Sequence, residues 1–179
     1  MTHFKSLTAV AVAALSMLAA MPAAAVQTSF SATLTGAAES PPNASLATGS
    51  AWVTFDSVLS TVDVQVIFDG LSAPASAAHI HCCTAVAGTG TAGVALGLTG
   101  FPAATSGVYA NSFTVAAATF TSMLAGSSAG TAYVNLHNSM FSGGEIRGFL
   151  APVPEPATYA LMLGGLGLVG WATRRRQTA

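Results

Sequence analysis

Three histidines carry the most chemistry in this chain. His79 and His81 stand two residues apart in Ala78-His79-Ile80-His81, and His137 ends Tyr133-Val134-Asn135-Leu136-His137. On an extended segment, side chains at i and i+2 leave the same face about 7 Å apart. Neutral imidazoles so placed suit copper, zinc, iron or nickel, and three of them with an open position make a catalytic type of site rather than a closed structural one. The competing reading is that the rings are partly buried and fix strand register through backbone hydrogen bonds. Cys82 and Cys83 follow His81 directly. In an oxidising compartment two cysteines usually pair, and neighbours can close a strained, reducible ring. Free or intermolecular thiols, or soft metal ligands beside the histidines, are the alternatives. Glu145 and Arg147, again at i and i+2, are expected to form a structural ion pair with each other or with neighbours, Glu39 being the other candidate partner of Arg147. A catalytic acid at Glu145 is the weaker reading. No Ser-His-Asp order, P-loop or dinucleotide fingerprint is present. The carboxylates are too few and scattered for a glycosidase pair. No catalytic residue set is complete.

Strands must position these groups. Phe30, Ala32 and Leu34 alternate in Ser29 to Gly36, and Val62, Val64, Val66 and Phe68 alternate in Thr61 to Gly70. Trp52 to Phe55, Ala77 to Cys82, Val108 to Val115, Ala132 to His137 and Glu145 to Leu150 are further candidates. Alternation rich in β-branched and aromatic residues predicts strands with one buried face. Clusters of Gly, Ser, Asn and Pro, such as Ser40-Pro41-Pro42-Asn43 and Ser142-Gly143-Gly144, separate them. About seven or eight short strands in this length predict an all-β fold, an antiparallel β-sandwich or Greek-key barrel. The one helical candidate is Thr119 to Ala125. Ala85 to Gly107, poor in large apolar residues, is either a long surface excursion or a weak edge strand.

Composition and the two ends say where the protein goes. Of 179 residues, 52% are hydrophobic and 6% charged, with 5 basic and 6 acidic side chains. That excludes a basic nucleic-acid binder and an acidic disordered tail, which need blocks of like charge. Residues 1–25 read as a signal peptide. Lys5 opens it, an apolar run from Leu7 to Ala20 follows, and Pro22 precedes the small residues Ala23-Ala24-Ala25. The run is short for a retained anchor. Signal peptidase is the implied partner, and His3 leaves with the leader, so the three histidines above are those of the mature chain. Residues 26–151 form the exported domain, with five carboxylates and one arginine. Residues 152–179 hold Pro154-Glu155-Pro156, an uncharged apolar helix predicted at about 157–173, and Arg174-Arg175-Arg176. Arginines beyond a membrane helix stay cytoplasmic, leaving everything before Pro154 outside.

Pro-Glu-Pro, a short hydrophobic helix and a basic cluster resemble the PEP-CTERM sorting signal of Gram-negative bacteria. The resemblance implies an exosortase partner, cleavage near Pro154-Glu155-Pro156, transient residence in the inner membrane, and then the cell surface or the medium. A simple tail anchor does not account for Pro-Glu-Pro. Within the exported domain, Gly36-Ala37-Ala38-Glu39-Ser40-Pro41-Pro42, Ala78-His79-Ile80-His81, and Ala132 to His137 with Gly143-Gly144-Glu145-Ile146-Arg147-Gly148-Phe149 occur in order. Together they resemble the CHRD domain, named after chordin, over roughly Phe30 to Leu150; Ser40 replaces a more usual apolar residue. The family implies an all-β domain and no defined activity. Copper-zinc superoxide dismutases are also β-sandwiches with a His-x-His strand, but their paired metals need about twice the histidines present here. The leading expectation is a non-catalytic exported domain of the envelope or polysaccharide matrix, with exopolysaccharide as a partner. The alternative is a mononuclear metal-dependent redox enzyme, of superoxide dismutase-like activity, using His79, His81 and His137 with copper, zinc or iron.

Overall fold

Alternation between core and solvent writes most of the strands. The computed structural model describes residues 27–154, 161–169 and 174. Strands β1 Gln27–Thr35, β2 Thr48–Asp56, β3 Thr61–Asp69, β4 Ala75–His81, β5 Val94–Gly97 and β6 Gly107–Thr114 come first, with a 3-10 turn at Gly36–Ala38. Helix α1 Ala117–Ser128 and strands β7 Tyr133–Asn138, β8 Ile146–Phe149 and β9 Ala151–Pro152 follow. In β3, Val62, Val64, Val66 and Phe68 are buried while the residues between them turn outward. The region from Ala85 to Gly107 holds the short strand β5, at one edge of the sheet.

The fold is mostly antiparallel β, but it is one hydrogen-bonded sheet curled into a half-barrel rather than two stacked sheets. The strands run β5-β4-β7-β8-β1-β2-β3-β6, and β9 also lies along β1. Between the two halves the ladder narrows to Thr35 opposite Arg147, supported by β9 against Phe30 and Ser31. The segment after β5 crosses towards the other edge. Tyr109 O–H donates to Thr99 O (2.9 Å), and the Phe101 ring packs 5.0 Å from Tyr109 and 5.1 Å from Phe68. Helix α1 lays Phe120 and Met123 on the core, and Phe120, Phe55 and Phe30 meet edge to face at 5.5 and 5.6 Å.

Glu145 is the polar anchor of this core. Wholly buried, it accepts from Ser45 O–H (2.6 Å), Ser72 N–H (2.9 Å), Ser72 O–H (3.1 Å) and the Asn138 amide. It thereby ties the segments before β2, β4 and β8 to the end of β7. The predicted Glu145–Arg147 ion pair is not formed. Gly144, at φ 128°, turns the chain just ahead of β8, so strand alternation does not reach Glu145. Arg147 lies instead 3.8 Å from Glu39, donating from Nε to Ala38 O (2.5 Å) and from Nη1 to Gly90 O (2.9 Å).

The predicted leader at 1–25 lies outside the described residues, as do Glu155, Pro156, Arg175 and Arg176. Of the membrane helix predicted at about 157–173, residues 161–169 are described and helical, with Leu161, Leu163, Leu166 and Leu168 exposed. Among the described residues no helix is long and apolar enough to cross a membrane.

Candidate metal centre

The β4–β7 register sets His79 opposite Asn135 and Ala77 opposite His137, so His137 stands diagonal to His79. Ala78, Ile80, Val134 and Leu136 take the core face of these strands. The histidines, Tyr133 and Asn135 therefore share the other face. Gly97 of β5 lies beside His79 and presents no side chain to it. One ligand atom from each of His79, His81 and His137 falls within 4.8 Å of the others. The ring centroids are 4.9 Å apart for His79–His137, 5.6 Å for His79–His81 and 6.1 Å for His81–His137.

Backbone carbonyls choose the tautomers. His81 Nδ1–H donates to Ala92 O at 2.9 Å, and His137 Nδ1–H donates to Ser142 O at 3.0 Å. A carbonyl can only accept, so the proton sits on Nδ1 and each Nε2 keeps its lone pair. Both Nε2 atoms, and His79 Nδ1, are buried without a hydrogen-bond partner. Metal-binding histidines are typically oriented in this way, the second nitrogen donating to a carbonyl. Burial is the main cause holding all three below the ordinary histidine pKa. For His79 the charge of His81 adds to it; for His81 and His137 the carbonyl bonds partly oppose it. The rings are thus neutral near pH 7, the form that ligates.

A further layer supports the triad. His81 stacks flat on Tyr133 (4.7 Å, 1° between planes), and the Arg147 guanidinium lies 4.8 Å from the centre of the Tyr133 ring. Tyr133 Oη accepts from Ala92 N–H (3.3 Å), so one residue fixes both Tyr133 and His81. Asn135 Oδ1 and Glu39 Oε1 both flank Gly144, where a methyl group would collide with them. They too are buried without a partner. Burial, opposed by the Arg147 charge and the Ser40 N–H, raises Glu39 from 4.5 to about 7. Among the described residues, six buried side-chain polar atoms lack partners; five belong to these three histidines, Asn135 and Glu39. Each such orphan costs about 1–3 kcal/mol, so their concentration here points to a ligand.

The remaining sequence candidates divide. Cys82 and Cys83 are paired with each other and face α1 rather than the histidines. Glu145 serves the core, and Arg147 backs the site through Tyr133. Asn135 was readable only within its phrase, two residues before His137 on the same strand face.

A family model described as the CHRD domain matches residues 30–150, and one described as the PEP-CTERM protein-sorting motif matches residues 152–176. Both resemblances read from the sequence are thereby borne out. Comparison with curated proteins finds no match, and comparison with solved structures finds none either.

Proposed function

Since the chain belongs to the CHRD domain family and carries the PEP-CTERM signal of exported, exosortase-sorted proteins, we propose that it is an envelope or matrix domain that holds one transition-metal ion on His79, His81 and His137. The observation that carries this reading is the convergence of three neutral imidazole rings, each of which also has a buried nitrogen without a partner. Register-fixing alone would leave those nitrogens bonded to protein groups. His79 Nδ1, His81 Nε2 and His137 Nε2 would hold the metal, and the Ala92 and Ser142 carbonyls would set the orientation of two rings. Nitrogen donors of this kind suit copper, zinc or iron. The test is elemental analysis of the exported protein purified without chelator, beside a His79→Ala control. About one equivalent of metal in the parent and little in the control is expected; equal contents would refute it.

A second reading rests on the donor count. Three ligands leave a coordination position open, and His79 and His137 are only partly buried. That open position is where a small oxidant such as superoxide would bind in a mononuclear redox enzyme. Superoxide consumption that follows metal content would favour this reading over pure binding.

A further inference from the structure

The Cys82–Cys83 disulfide is left unexplained by the metal reading. Its sulfurs form the floor of an open groove of about 450 Å³, walled by Val94 and Ala95 of β5 and by Ala118, Thr119 and Ser122 of α1. A crosslink stabilises a fold mainly by restricting the unfolded chain, and the gain grows with the loop closed. Between neighbours that gain is at its smallest, so stability does not account for the bond.

Access and accommodation favour chemistry instead. Cys83 is the exposed residue of the pair and Cys82 is half-buried, which favours approach of a thiolate from the Cys83 side. The Ser122 carbonyl oxygen lies 3.4 Å from Cys82 Sγ and 3.5 Å from Cys83 Sγ. A disulfide has no proton to donate to it. Two thiols would, and their acceptor is already in position. Gly126 keeps the helix clear, because a methyl group there would collide with both sulfurs.

We propose that Cys82–Cys83 is a thiol–disulfide exchange site whose substrate is a dithiol. One thiolate of the dithiol attacks Cys83 Sγ; the Cys82–Cys83 bond breaks and Cys82 leaves as thiolate, taking a proton from solvent. The second thiolate of the dithiol then attacks the mixed disulfide, releasing Cys83 as thiolate, which is protonated in turn. The protein gains two electrons and two protons, and the dithiol becomes a disulfide. The site stands apart from the metal reading, since Cys82 packs on the core side of the strand end that presents His81 to the other face.

The test equilibrates the full chain with graded mixtures of reduced and oxidised dithiothreitol, alkylates free thiols, and reads mass together with near-ultraviolet circular dichroism. Two alkyl groups per chain with the native spectrum retained, reversed by oxidised dithiothreitol, is the expected result. Labelling only where the native spectrum is lost, or none short of denaturant, overturns the proposal. A second measurement compares Cys82→Ser with Cys83→Ser for mixed-disulfide formation with oxidised glutathione. The single thiol at Cys83 should react at least about tenfold faster than that at Cys82. Equal or reversed rates would overturn Cys83 as the attacked sulfur.

Discussion

Replacing Glu145 by alanine should be among the most damaging single changes in the domain. Its carboxylate has no exposure and accepts from Ser45, Ser72 and Asn138, joining two segments far away in sequence to the β7–β8 connection. Hydrogen bonds to a charged group contribute about 1.5–3 kcal/mol each, though not additively. Asn138 keeps a second acceptor in Ala73 O at 3.1 Å, whereas Ser72 N–H is left with none of its present ones. Each buried donor left without its acceptor costs about 1–3 kcal/mol, so a loss of about 4 kcal/mol is expected. With an m-value of about 2 kcal/mol/M, the urea midpoint should fall by about 2 M. Glu145→Gln keeps the volume but turns an amide N–H₂ towards donors, and should lose about half as much. Equilibrium urea unfolding of the purified protein reads both. A Glu145→Ala loss below about 1 kcal/mol would refute the anchor. A double-mutant cycle with Arg147 checks the absence of their pairing: coupling should stay below about 0.5 kcal/mol.

Gly144→Ala should lower stability by about 2–4 kcal/mol in thermal unfolding, because φ 128° and the crowding of Asn135 and Glu39 both exclude a methyl group; an unchanged midpoint would contradict the geometry. Glu39 keeps its proton in the fold up to about pH 7, whereas in the unfolded chain it ionises near 4.5. Its contribution is therefore full below 4.5 and lost as pH rises to 7, by roughly 3 kcal/mol. The three histidines act oppositely, adding stability as pH rises towards 6.5, since the unfolded chain binds their protons more readily. Subtracting the stability profile of Glu39→Gln from that of the parent isolates the first effect; a flat difference would refute it. Alanines in place of Pro154, Glu155 and Pro156 should leave the protein in the membrane fraction of a host with the matching exosortase, and normal release would contradict the sorting assignment.

The strands were legible wherever one face is buried and the other is wet, as in Val62 to Phe68. The shared face of His79 and His81 was legible for the same reason, because i, i+2 spacing fixes it whatever the sheet does, whereas their meeting with His137 depends on β7 lying beside β4. Helix α1 runs past its expected end at Ala125, since Gly126, Ser127 and Ser128 are poor helix formers held by burial of Gly126 and Ser127. Glu39 stood beside Glu145 among the expected partners of Arg147, but the choice of Glu39 was not legible. It depends on one glycine turn and on the 3-10 turn that carries Ala38 and Glu39 across the chain. The curling of one sheet, in place of two stacked ones, was equally hidden, because alternation reports a buried face and not which strand lies beside it.

The central claim is a three-histidine metal site, and calorimetric titration of the metal-free protein with Zn²⁺ at pH 7 tests it most directly. One ion per chain should bind, with affinity falling at least about 100-fold in each of His79→Ala, His81→Ala and His137→Ala, and weakening below about pH 6 as protons compete for the rings. No saturable binding in the parent, or binding that survives all three substitutions, would contradict the account.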